Sequence, residues 1–211
     1  PRMPDASYDP VAHLLEMLEL ERLAVDLFRG VGAGGETSKR IYGGQVIAQA
    51  LVAAYRTVED RVCHSLHCYF IRPGDPSIPV VYEVDRARDG GSFTTRRVIA
   101  IQHGRQIFNL AASFQKAEDG WEHQHAMPPA PAPDSLPNRN EIRDRLAPKV
   151  PPERREDFLR PRPIEIREVE PQDLTAPRKL RDVNALWFRT ANPVEGPAWL
   201  HHCLLAYASD M

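Results

Sequence analysis

No stretch of this 211-residue chain is apolar for long enough to span a bilayer. The longest uncharged run, residues 41–55, is interrupted by Gln45 and Gln49, whereas a span needs about 20 mostly apolar residues. A basic surplus is missing as well: 27 Lys and Arg face 29 Asp and Glu, a net charge of -2. That argues against a broad polycationic surface and against nucleic acid as partner; an anionic ligand needs a local arginine cluster instead. Cysteine is scarce. Cys63, Cys68 and Cys203 are three, an odd number that cannot all pair within one chain. Residues 1–9 hold Arg2 as their one base and no apolar core of a leader. These absences predict a reducing, cytoplasmic compartment.

What is present is a core-forming composition, 42% hydrophobic and 27% charged, as in globular domains. Proline is the abnormal count. Of 20 prolines, 11 fall within residues 128–171. Prolines 128, 129, 131, 133 and 137 can propagate neither a helix nor a ladder, and predict an extended surface stretch. Residues 139–181 continue as a dense mixture of both charge signs, read as a solvated face with one short helix around residues 153–159. The chain is therefore divided into a first domain at residues 1–127, a linker at 128–160 and a further domain from 161 to 211.

Within the first domain, Asp9 before Pro10 is an N-cap with proline at the first helical position, and Val11, Leu14, Leu15 and Leu18 form an apolar face. Alternation across residues 23–28 predicts one strand, ended by Gly30, Gly32, Gly34 and Gly35. A long helix starts at Gly43-Gly44. Its polar residues Gln45, Gln49 and Arg56 share a narrow arc and the remainder is apolar, so the helix must be wrapped. Strands follow at residues 62–71, 78–88, 92–103 and 105–116, separated by turn signals such as Asp89-Gly90-Gly91 and His103-Gly104. One buried helix with an antiparallel sheet curled around it is the hot-dog arrangement, an α+β fold. From residue 161 the same plan begins again, with strands at 164–170 and 184–191 and a helix at 197–211. A helix on two strands is marginal alone, which predicts that further strands come from the rest of the chain or from another polypeptide.

Three constellations invite chemistry. Cys63-His64-x-x-His67-Cys68 looks like a zinc site, but strand alternation sends Cys63 and His67 one way and His64 and Cys68 the other, so no metal is expected. A G-x-S-x-G elbow is absent. Gly43-Gly44-Gln45 opens the buried helix, where free N–H groups and the helix dipole suit an oxygen gaining negative charge; the alternative is that the glycines serve only packing. A helical wheel over residues 199–211 puts Asp210 beneath Cys203 in the apolar arc, where a carboxylate is costly unless it serves a cleft. The alternative there is a solvent-facing Asp. Arg86, Arg88, Arg96, Arg97 and Arg105 are candidates for phosphate contacts.

Phe28-Arg29-Gly30, Tyr42-Gly43-Gly44-Gln45-Val46, His64-Ser65-Leu66-His67-Cys68-Tyr69-Phe70, Arg72-Pro73-Gly74-Asp75, Asp89-Gly90-Gly91-Ser92-Phe93, Ala112-Ser113-Phe114-Gln115, Met127-Pro128-Pro129-Ala130-Pro131 and Tyr207-Ala208-Ser209-Asp210 together resemble acyl-CoA thioesterase II, the TesB-like family, in order and spacing. The resemblance implies a tandem double hot-dog and hydrolysis of acyl-CoA to fatty acid and coenzyme A without cofactor. In that family an Asp on the second hot-dog helix activates water together with a Thr or Ser and a Gln. Asp210 matches the Asp. The other two belong to strands that follow this helix, beyond Met211, which leaves the second repeat incomplete.

The expected function is thus an acyl-CoA thioesterase with Asp210 as catalytic residue, Gly43, Gly44, Gln45 and His64 as oxyanion or substrate-binding residues, acyl-CoA as substrate, and a homo-oligomeric state. The alternative is a non-catalytic acyl-CoA-binding or assembly module. An enoyl-CoA hydratase would want an Asp and His pair, which the wheel does not provide, because His201 and His202 face away from Asp210.

Overall fold

The computed structural model describes residues 8–32, 40–171 and 184–211. Gly34, Gly35, residues 1–7 and the end of the charged stretch from residue 172 lie outside them. The chain forms two compact units, Leu15–Gly120 with Glu195–Met211, and Pro1–Leu14 with Trp121–Val194.

Helix α1 (Pro10–Leu18) begins as its sequence requires, with Asp9 Oδ1 accepting from Val11 N at 2.8 Å and from Ala12 N at 3.2 Å. The single strand expected at residues 23–28 is instead a hairpin of β1 (Glu21–Ala24) and β2 (Leu27–Gly30). The chain reverses at Val25-Asp26. Asp26 fixes the corner, its carbonyl accepting from Val84 N at 2.8 Å and its carboxylate from Arg86 Nε at 2.8 Å. Leu23 and Val25 are exposed, so their apparent alternation marks no buried face.

Strands β3 (Val62–Phe70), β4 (Val80–Asp89), β5 (Phe93–Gln102) and β6 (Arg105–Gln115) complete an antiparallel sheet in the order β1-β2-β4-β5-β6-β3. Period-2 patterning sends Tyr82, Val98, Ala100, Phe108, Leu110 and Phe114 inward. There they meet α2 (Gly43–Tyr55), in which every residue from Gly44 to Tyr55 is buried. The two glutamines of its polar arc are satisfied inside. Gln49 Nε2 donates to Met17 O at 2.7 Å while its Oε1 accepts from Tyr82 OH at 2.7 Å, and Gln45 Nε2 donates to Val31 O at 3.1 Å.

The other unit carries more helix than expected. Beside α4 (Pro152–Leu159), which matches the expected short helix, stands α3 (Arg139–Leu146), capped by the Asn138 side chain accepting from Asn140 N at 2.9 Å. Glu141 in its first turn and Arg143 and Arg145 in its last complement the helix dipole. Strands β7 (Ile164–Glu168) and β8 (Leu186–Thr190) pair antiparallel, with Glu165 opposite Arg189.

Helix α5 (Ala198–Ala208) belongs to the unit of the large sheet and packs on α2, burying Cys203, Leu204, Ala206 and Ala208. Gly44 adjoins Tyr207 and Asp210 at one end, and Tyr55 adjoins Trp199 and His202 at the other, so the two helices run antiparallel. The result is an α+β hot-dog sheet around α2, with a second, smaller β/α part that begins a tandem repeat.

Candidate active site

Tyr42 precedes α2 in extended conformation (φ -64, ψ 130), and its side chain makes no cap hydrogen bond. The first turn is therefore capped from elsewhere. Gly44 N donates to Asp210 Oδ2 at 3.0 Å, a charge-assisted bond at the positive end of a helix. Gln45 N and Val46 N both turn back to Tyr42 O, and Gly43 N has no acceptor among the described residues.

Asp210 reaches this point by a different route from the helical wheel. The helix ends at Ala208 with Ser209 as its C-cap, and Asp210 is exposed rather than core-facing. One oxygen is held by the helix end of α2, and the residue as a whole remains open to water.

Both glycines are required by close approach. A Cβ on Gly43 would lie 2.5 Å from Asp210 Oδ2 and 2.8 Å from the Phe70 ring; one on Gly44 would lie 2.2 Å from Tyr207 O. Gly43 therefore makes room for the carboxylate and Gly44 for the α5 backbone. Tyr42 OH donates to Tyr207 O at 3.1 Å and the two rings meet edge to face at 5.0 Å, which locks the junction. Cys68 is nearby: burial, and after it the Asp210 charge, push its thiol pKa up, so the sulfur stays protonated and weakly nucleophilic at neutral pH. Sequence reasoning gives no role to Tyr42, Cys68, Phe70 or Tyr207, although each sits in a string quoted above.

Two other candidates lie elsewhere. Gln45 is 1% exposed and engaged with Val31 O. His64 sits near the opposite end of β3 from Phe70, six residues and roughly 20 Å along the strand, with Nε2 2.9 Å from Ser113 Oγ. The structure brings Asp210, Gly43 and Gly44 together and leaves His64 apart. Among the arginines, Arg96 is buried and bound to Thr57, Asp89 and backbone carbonyls, so it is a structural residue. Arg86 pairs with Asp26, whereas Arg88, Arg97 and Arg105 are exposed.

The alternation drawn for Cys63 to Cys68 also needs correction. A bulge between Cys63 and Ser65 shifts the register, so Cys63 opposes buried Phe114 and Cys68 opposes buried Leu110, while Ser65 and His67 oppose Ser113 and Ala111. One extra residue reverses the side-chain parity. The two cysteines thus share the inner face, and His64 and His67 lie on the outer one. Among the described residues, no three His, Cys, Asp or Glu side chains are grouped to hold a metal ion.

Residues 34–115 match the family described as "Acyl-CoA thioesterase N-terminal domain". Acyl-coenzyme A thioesterase 8 of Mus musculus is 42% identical over 203 residues, covering 92% of this chain and 63% of its own length. The chain thus spans less than two thirds of that relative. Acyl-CoA thioesterase 2 of Haemophilus influenzae is 37% identical, covering 96% of this chain and 71% of that protein. Among solved structures, an acyl-CoA thioesterase II from Mycobacterium marinum superimposes with a TM-score of 0.71 at 43% identity, over 93% of this chain and 68% of the other. With the sheet, the wrapped helix and the quoted strings in agreement, this chain belongs to the TesB-like acyl-CoA thioesterase II family.

Proposed function

We propose that the full-length protein hydrolyses fatty acyl-CoA to a free fatty acid and coenzyme A, with Asp210 as general base. The observation that carries this reading is the bond from Gly44 N to Asp210 Oδ2, which fixes a carboxylate at a helix N-terminus while leaving the residue open to water. Asp210 takes a proton from a water as its oxygen attacks the thioester carbonyl. The tetrahedral oxyanion is stabilised by Gly43 N–H and the positive end of α2. Collapse breaks the C–S bond, and the proton held by Asp210 passes to the departing thiolate. Because Gly44 N–H is committed to Asp210, the oxyanion role falls to Gly43.

Gln45 enters this reading as a support for the α2 entry loop, and His64 as a substrate-binding residue outside the carboxylate centre. The Thr or Ser and Gln partners are supplied by strands from the remainder of the chain or another polypeptide. The division at residues 128–160, a homo-oligomeric state and a cytoplasmic location complete the proposal. It is tested by following free thiol release from acyl-CoA by the full-length protein. Continuous release over many turnovers is expected; stoichiometric binding of acyl-CoA without thiol release would instead identify a non-catalytic binding module.

A further inference from the structure

Tyr69 and Phe70 are neighbours on β3 and both are exposed, but only one of the two exposures is ordinary. In the pairing of β3 with β6, Tyr69 opposes Asn109 and Phe70 opposes Phe108. Strand alternation therefore turns Tyr69 to the outer face of the sheet and Phe70 to the inner one, where side chains are normally covered. Phe108 is 1% exposed, yet Phe70 keeps 52% of its surface open. The two rings meet at 5.2 Å, so Phe70 is seated on the core by one side and free on the other.

The free side borders the Asp210 centre. One point, the place a Cβ on Gly43 would take, lies 2.5 Å from Asp210 Oδ2 and 2.8 Å from both Cε1 and Cζ of Phe70. The carboxylate oxygen and the leading edge of the ring thus stand no more than about 5 Å apart, whereas a methylene in van der Waals contact with both needs roughly 7 Å. No part of a substrate passes between them. Oδ2 is also engaged by Gly44 N at 3.0 Å, so reaction is left to the open side of this pair, with the ring as its wall. Gly43, Phe70 and Asp210 all belong to the unit of the large sheet.

A donor stands about 3 Å from the oxyanion it stabilises, and the carbonyl bond adds about 1.2 Å. A thioester carbon held at Gly43 N–H is then roughly 4 Å from that amide, and the groups bonded to it fall within reach of the ring edge that adjoins the same glycine. Two groups flank this carbon. The sulfur leads into the pantetheine arm, whose amides and phosphates need water or polar partners, whereas the acyl side continues as methylenes, which gain by covering an exposed aromatic ring.

We infer that Phe70 is a specificity-determining residue for the acyl group: its ring packs on the first methylenes beyond the thioester carbonyl and so favours longer acyl chains over acetyl-CoA, which has none. The inference rests on the thioester site proposed at Gly43 and Asp210, but not on which group serves as base.

Thiol release from acetyl-, butanoyl- and dodecanoyl-CoA is compared in full-length protein and in Phe70→Ala, Phe70→Leu and Phe70→Gln. Binding of the matching 2-oxoalkyl thioethers of coenzyme A, which keep a carbonyl and are not hydrolysed, is measured by calorimetry. Phe70→Ala should lower kcat/KM for butanoyl- and dodecanoyl-CoA alike, by about tenfold, the scale of a methylene contact in a pocket, and leave acetyl-CoA much less affected. Thioether affinities should follow the same order, and inhibition by free coenzyme A should be unchanged. Phe70→Leu keeps an apolar contact and should lose less; Phe70→Gln keeps bulk without it and should behave as Phe70→Ala even if that variant folds poorly. Equal losses for acetyl- and butanoyl-CoA, a loss that grows from butanoyl to dodecanoyl, or no loss, as for a ring covered by the remaining strands, would each overturn the inference. Weakened inhibition by free coenzyme A would do so too, by placing the ring on the thiol side. Absence of thiol release with the thioether preference lost in Phe70→Gln would sink the proposed hydrolysis and leave the wall in place; if that preference is retained, both fall.

Discussion

Gly43 and Gly44 are adjacent and chemically identical, yet their surroundings give them different work. A methyl on Gly44 meets the backbone carbonyl of Tyr207, which cannot move without α5, whereas a methyl on Gly43 meets the ends of the Asp210 and Phe70 side chains. Gly44→Ala should therefore destabilise the fold by about 1–3 kcal/mol, the usual cost of overpacking, seen as a lower denaturation midpoint. Gly43→Ala should lower turnover by displacing the carboxylate, at a smaller cost in stability. Equal midpoints for the two variants would contradict the assignment. The choice between packing and chemistry for this Gly-Gly is not legible in the sequence, because the partner that decides it, the Tyr207 to Asp210 segment, is remote in the chain. Gln49 is also settled by its partners: Gln49→Met would strand Tyr82 OH and Met17 O in the core, and should cost about 2–4 kcal/mol in a denaturant titration.

Elements are legible where one apolar period is unbroken, and are misread where a single residue changes the count. Helix α2 announces itself by being apolar almost all round, and β6 by the clean alternation of Phe108, Leu110, Ala112 and Phe114. The bulge between Cys63 and Ser65 inserts one residue and reverses which side chains share a face, a change that no pattern within β3 records. Helix α3 buries nothing, so periodicity carries no signal for it, although the Asn138 cap and its charge order are readable. In the β7–β8 pair, Glu165 lies between the buried Ile164 and Ile166 in the chain and pairs with both Arg167 and Arg189. Burial alone raises the Glu165 pKa, but Arg167 and Arg189 outweigh it and hold the carboxyl below its ordinary value of 4.5. A depressed folded pKa gives stability that is present above the unfolded value and lost as pH falls through the folded one. Amide protection in Ile164–Glu168 and Leu186–Thr190 should accordingly decline below about pH 4.5, and Glu165→Gln should remove most of that pH dependence. Protection that holds level from about pH 6 to about pH 3 would show that the ion pairs are incidental.

At the scale of the whole molecule, the fold places one catalytic candidate where its sequence neighbours could not. Asp210 lies beyond the end of α5, and the antiparallel packing of α5 on α2 delivers it to the start of a helix from the first repeat. The sequence points to the residue through its family string and through a wheel whose geometry is wrong, since the helix stops at Ala208. It does not disclose that Gly44 N–H is consumed in holding the carboxylate. The His202 and Tyr55 junction is equally hidden, because a helical wheel describes one helix and not the pair. The central claim is that this carboxylate, held by the Gly44 amide, activates the water that cleaves the thioester. Asp210→Asn keeps the shape and an oxygen for Gly44 N–H but removes the base. Steady-state kinetics of acyl-CoA hydrolysis by the full-length protein should then show kcat reduced about 10²-fold or more, with a much smaller change in KM; a variant with kcat close to that of the unaltered protein would contradict the account.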